Sequence, residues 1–172
     1  MRRISIAATA VLLAAGCSGG TAPPPAETQK AALTPGLYEA SWTVASVAST
    51  DRTEPATELQ QGARGTARGC VREGGAIDPA LFAEGKDECT ASTSYARGGR
   101  LAMQLECRRP GGSGQVMESV NGTTTAQGFQ AEVSSTTYLA GAGDYEMIRT
   151  VTARRTGECP PDGATDALNA AD

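Results

Sequence analysis

The chain contains no histidine. That absence removes Ser-His-Asp and Cys-His nucleophile arrangements, imidazole metal ligation and histidine acid-base catalysis together. Aromatic residues make up 4% of the chain, too few for a sugar platform or a base-stacking surface. Clustered positive charge is also missing. Arg64, Arg68 and Arg72 are spread through one segment, and the doublets Arg108-Arg109 and Arg154-Arg155 stand among acidic residues, so a solvated mixed face is expected and nucleic acid is excluded as a partner. The body has no P-loop, calcium-loop, S-x-x-K or G-x-G-x-x-G pattern. No cofactor or metal site is therefore expected.

Long apolar runs are absent except at the amino end. Ile4 to Ala15 is uncharged and follows Arg2-Arg3, which is the length and flanking charge of an export signal and well short of the ~20 residues a membrane span requires. The following Leu13-Ala14-Ala15-Gly16-Cys17 resembles a bacterial lipobox, in which the chain is cut before the cysteine and acyl chains are attached to it. Residues 1–16 are read as signal peptide and Cys17 as the lipidation site. The G-x-S-x-G match at Gly16 to Gly20 straddles that cut and has no base partner. Each acyl chain contributes about 0.8 kcal/mol per buried methylene, and two or more anchor a protein durably. Ser18 occupies the position where retained inner-membrane lipoproteins often carry aspartate, so the expected address is the outer membrane, facing the periplasm. Loss of Arg2 and Arg3 takes Lys plus Arg from 15 to 13 against 19 Asp plus Glu.

Residues 17–34 include Pro23-Pro24-Pro25 and mostly small side chains, the composition of a tether reaching roughly 50 Å at most, at ~3.1 Å per residue. Residues 160–172 have little to bury and read as a disordered tail. Between them, 35–159 is enough chain for one domain with its own core.

That body reads as strands. Tyr38, Ala40, Trp42 and Val44 fall on alternate positions, which places Trp42 on a buried face and Glu39, Ser41 and Thr43 outside. An irregular extended stretch follows from Thr57 to Val71, then a short helical turn at Asp78 to Gly85 with an N-cap aspartate and a first-position proline. Folding Cys89 to Cys107 about Gly98 sets Tyr95 against Leu101, Thr93 against Met103, Ala91 against Leu105 and Cys89 against Cys107. This register requires an odd loop such as Arg97-Gly98-Gly99, because an even loop flips one apolar set outward. Further strands are expected at Gly114 to Val120, ending near Asn121-Gly122, then Gly128 to Leu139 and Tyr145 to Arg155. The fold class is all-β with one short helix: an antiparallel meander forming a strongly curved sheet, small barrel or lipocalin-like half-barrel. A two-layer β-sandwich is the alternative.

An exported chain meets an oxidising compartment, and setting Cys17 aside leaves Cys70, Cys89, Cys107 and Cys159. The hairpin register pairs Cys89 with Cys107 and leaves Cys70 with Cys159. A tetrathiolate zinc site would want close C-x-x-C pairs, which are missing.

The order of these features resembles an uncharacterised family of bacterial envelope proteins, domain of unknown function 3617. The resemblance rests on Pro35-Gly36-Leu37-Tyr38-Glu39, Gly69-Cys70-Val71 before the short helix, the cysteine-bracketed hairpin, the "PGGSGQVMESVNG" strand pair and Arg155-Thr156-Gly157-Glu158-Cys159. Tyrosine stands at Tyr38 where the family usually has tryptophan, and its methionine-rich stretch is replaced here by "STDRTEPATELQQG". The resemblance brings no activity or catalytic residue with it.

The expected role is non-enzymatic: a lipid-anchored envelope domain binding an apolar small ligand or a partner protein. Trp42, Tyr95, Leu101, Met103 and Leu105 would line a cavity or fill a closed core. A structural envelope protein without a cavity is one alternative. A carboxylate hydrolase is another, and it would need two of the carboxylates such as Glu106, Glu118, Glu132, Asp144 and Glu146 converging in a cleft, where exposed strand positions otherwise account for them.

Overall fold

The computed structural model describes residues 32–161. Cys17, the signal segment and most of the tether and tail lie outside the described residues. Seven strands form one antiparallel sheet: β1 (Gly36–Ser49), β2 (Arg64–Val71), β3 (Glu88–Arg97), β4 (Arg100–Arg108), β5 (Gly114–Thr125), β6 (Gly128–Leu139) and β7 (Tyr145–Gly157). Their order is β2-β1-β7-β6-β5-β4-β3. This is a cyclic meander opened between β2 and β3, so the sheet curls into a half-barrel. It is one sheet and not a two-layer sandwich. Register shifts in the β1–β7 pair at Leu37/Tyr38 and Val44/Ser46 mark irregularities of the kind that add local twist.

The gap between the two edge strands is filled by the segment that connects them. It carries two short 3-10 turns, Glu73–Gly75 and Pro79–Leu81, and the Asp78 side chain caps the second by accepting from the Ala80 amide. Ile77, Leu81 and Phe82 of this segment are buried against the inner face of the sheet. Phe82 meets Phe129 with ring centroids 5.5 Å apart. The core is thus the concave face of the half-barrel, stoppered by its own crossover. Trp42, Leu101, Met103 and Leu105 are all buried in it. The last three belong to the buried core.

Alternation holds where expected along β1, with Tyr38, Ala40, Trp42 and Val44 inside. Three expectations need correction. The stretch from Thr57 becomes strand only at Arg64. No turn occurs at Asn121-Gly122, because β5 runs on to Thr125. Gly122 instead marks a close approach of backbones, since a Cβ there would overlap Gln130 O and Ala131.

The third correction concerns the cysteine-bracketed hairpin. Arg97 pairs with Arg100, so the loop is the even Gly98-Gly99, both with positive φ, the two-residue turn that suits strand twist. Ala96 then faces Leu101 and is buried, while Tyr95 pairs with Ala102 and is 45% exposed. Tyr95 is therefore neither core nor cavity. A shift between Ala91 and Thr93 restores the register, so that Ala91 meets Leu105 and Cys89 meets Cys107. Two disulfides close the domain, Cys89–Cys107 and Cys70–Cys159.

Candidate functional site

One wall of the half-barrel mouth is Trp42 of β1. Its register partner is Gly65, and a methyl group there would overlap the indole at Cζ2 and Cε2. The glycine leaves room for the ring to lie across β2 with one edge reaching a cleft of about 750 Å³. Leu59, Ala67 and Ala83 add apolar surface to that cleft, and Glu84, Asp87 and Arg109 give it a charged end. Gly65→Ala is therefore expected to displace the indole. Trp42 is the sole tryptophan, so a shift of its emission maximum in the folded protein reads the displacement directly.

The loop between β1 and β2 forms the outer lip and is held from a distance. Both oxygens of the Asp51 carboxylate are occupied: Oδ1 accepts from the Thr53 amide at 2.9 Å and Oδ2 from the Gly143 and Asp144 amides at 2.8 and 3.1 Å. Ala56 N also donates to Gly143 O at 2.9 Å. The hydrogen bonds from Thr53, Gly143 and Asp144 hold the Asp51 carboxyl well below the usual carboxylate range. A carboxyl depressed in the folded state contributes fully above its unfolded pKa, and the contribution fades as pH falls toward the folded value. Amide exchange at Thr53, Gly143 and Asp144 should accelerate selectively in acid, and Asp51→Ala should reproduce that acceleration at neutral pH.

Behind the cleft lies a buried ionic cluster. Glu118 on β5 and Arg149 on β7 are each 1% exposed. Arg149 Nη2 donates to Glu118 Oε1 at 2.6 Å and to Phe82 O at 2.5 Å. Ser135 Oγ donates to the same Glu118 oxygen at 3.1 Å. On the cleft side, Arg109 donates through Nε to Asp87 Oδ1 at 3.2 Å, through Nη1 to Ala56 O at 2.6 Å and through Nη2 to Tyr145 OH at 2.9 Å. The Tyr145 hydroxyl donates in turn to Glu84 Oε2 at 2.6 Å, and Thr57 Oγ1 donates to Glu84 Oε1. The lip, the crossover and β7 are thereby locked together.

Burial sets the acid-base state of the cluster. It raises the Asp87 carboxyl against the pull of Arg109, and it raises the Tyr145 phenol together with the adjacent Glu84 charge. Burial also pushes Glu118 up to about 7, with Arg149 opposing. Glu118 Oε2 and Arg149 Nε have no hydrogen-bond partner.

Glu106 and Glu118 do not come together, since Glu118 lies inside opposite Leu105 and Glu106 faces outward. Expecting an exposed Glu118 is wrong, as is placing Arg109 on a purely solvated face. The signal was a break in alternation: Glu118 interrupts Val116 and Val120, and Arg149 interrupts Met147 and Val151, on inward positions. Of the expected cavity residues only Trp42 lines the cleft. The sulfurs of Cys89 and Cys107 and a carboxylate oxygen of Glu118 lie within 4.8 Å of one another, but the sulfurs are bonded to each other and present no thiolate to a metal.

Among the described residues no helix is long and apolar enough to cross a membrane. No curated protein and no solved structure matches the chain. A family model described as "Protein of unknown function (DUF3617)" matches residues 33–159, which span β1 to β7, the cleft, the ionic cluster and both disulfides. The chain belongs to the DUF3617 family.

Proposed function

We propose that the protein is a non-enzymatic, lipid-anchored envelope protein, held through acyl chains on Cys17 at the outer membrane and facing the periplasm, whose domain binds a small molecule with an apolar body. The cleft carries this reading. It combines the indole edge of Trp42 with Leu59, Ala67 and Ala83, beside fixed charges on Glu84, Asp87 and Arg109, the mixture of apolar wall and few placed polar groups typical of ligand sites. The lipobox-like Leu13 to Cys17 supports the anchor, and two disulfides suit an oxidising compartment.

Two features favour binding over catalysis. Both oxygens of Asp87 accept from Arg109, and those of Glu84 accept from Thr57 and Tyr145. Each oxygen of both carboxyls is thus held by a hydrogen bond within the domain, which fixes them as placed polar groups at the end of an apolar cleft.

Titration of Trp42 emission with dodecanoate and with 1-anilinonaphthalene-8-sulfonate tests the proposal. A saturable change that Leu59→Asp abolishes supports it. Absence of any saturable change, or an unaltered one in Leu59→Asp, refutes ligand binding in the cleft and leaves the outer edge of β3, with its exposed Tyr95, as the surface for a partner protein.

A further inference from the structure

We propose that Cys89–Cys107 is an exchangeable disulfide, opened and closed by a partner dithiol, and that Glu118 is the proton donor and acceptor for the buried sulfur of Cys107. Three observations place these groups together. A carboxylate oxygen of Glu118 and the two sulfurs lie within 4.8 Å of one another. Glu118 is 1% exposed and its Oε2 has no hydrogen-bond partner, while Oε1 is taken up by Arg149 and Ser135. Finally, Cys89 is half-buried on the outermost strand whereas Cys107 is buried on β4. Cys89 is thus the less buried of the two residues and the one assigned as the point of attack, and Cys107 carries the sulfur that must leave into the interior.

The leaving sulfur sets the chemical demand. A partner thiolate attacks Cys89 Sγ, the Cys89–Cys107 bond breaks, and its electron pair goes to Cys107 as thiolate. An uncompensated thiolate at a buried site is costly, and a proton passing from the Glu118 carboxyl to Cys107 removes the charge. The partner's second thiol, deprotonated by water, attacks the mixed disulfide. It forms the partner's disulfide and releases Cys89, which takes a proton from solvent, as Glu118 does. In sum, one domain disulfide and one partner dithiol become one domain dithiol and one partner disulfide.

The surroundings supply that proton. Arg149 on β7, Ser135 on β6, and Glu84 and Asp87 on the crossover face Glu118, and Arg109 neutralises Asp87. Burial raises Glu118 to about 7 against the pull of Arg149, so this carboxyl exchanges its proton near neutrality. Opening does not dismantle the hairpin, because Glu88 with Arg108 and Thr90 with Glu106 continue the ladder on either side. The Cα atoms of the cysteines are 4.0 Å apart, so the ladder keeps both thiols positioned to close again.

Cys70–Cys159 likewise joins one buried and one half-buried cysteine, and among the described residues only Cys89–Cys107 is grouped with a carboxylate, so Cys70–Cys159 is the internal control. Full-length oxidised protein is treated with dithiothreitol between pH 5.5 and 8, sampled, alkylated and mapped by peptide mass. Cys89 and Cys107 should be trapped well before Cys70 and Cys159, with the far-ultraviolet circular dichroism unchanged. Glu118→Gln should slow opening of Cys89–Cys107 relative to Cys70–Cys159 by about tenfold or more and flatten the pH profile of that ratio, as loss of a general acid does. Should Glu118→Gln fail to fold, Ser135→Ala tests the same point. It removes a hydrogen bond to the ionised carboxylate and should move the profile to higher pH. Equal opening rates for the two disulfides, opening only on unfolding, or a ratio insensitive to both substitutions overturns the proposal.

Discussion

Arg149→Ala is expected to lower unfolding free energy by about 3–5 kcal/mol, the cost of leaving one partner of a buried ion pair behind. The guanidinium holds Glu118 Oε1 and the carbonyl of Phe82, with Ala83 O at 3.4 Å. Its loss therefore strands a carboxylate and also cuts the crossover from the sheet it stoppers. Glu118→Leu combined with Arg149→Met should recover most of that loss, because removing both charges leaves neither uncompensated. Urea unfolding of the wild type, Glu118→Leu, Arg149→Met and the double variant gives the coupling. Additive losses would mean that the pair does not work as a unit.

Removing the Cys70–Cys159 crosslink has the other large effect. The bond joins residues 89 apart and ties the edge strand β2 to the chain just beyond β7. In the loop-closure model it stabilises by about 4.6 kcal/mol, against about 3 kcal/mol for the 18-residue separation of Cys89–Cys107. Cys70→Ala with Cys159→Ala should therefore lower the thermal midpoint more than Cys89→Ala with Cys107→Ala. Differential scanning calorimetry of the two double variants makes the comparison, and a smaller loss for the first would contradict the entropic reading.

Much of the sheet is written in two-residue alternation. Tyr38 to Val44, Phe129 to Val133 and Leu101 to Cys107 each place their apolar sets on the concave face, because a half-buried antiparallel strand allows little else. Both disulfide pairs follow from one hairpin and the remainder. The details that escape this reading are those settled by distant parts of the chain. Gly98-Gly99 takes the tight turn and puts Tyr95 outside, and only the irregularity near Ser92 returns Cys89 to register; no local feature announces that shift. Gly122 reads as a turn residue, whereas the need it meets is room for β6. The cleft depends on a lip pinned by Asp51 to amides more than ninety positions away, a contact that no local pattern encodes. Glu118 and Arg149 break the apolar alternation of β5 and β7 at inward positions, yet neither is intelligible until β5, β7 and the crossover are seen to converge on one point.

Native mass spectrometry of the mature protein purified from the membranes of the cells that make it, with and without Leu59→Asp, reads anchor, crosslinks and bound molecule in one spectrum. The expected result is a chain beginning at an acylated Cys17, no alkylatable thiol at the other four cysteines, and a small molecule that stays bound to the wild-type domain and is missing from Leu59→Asp. An unacylated chain carrying nothing in either form would contradict it.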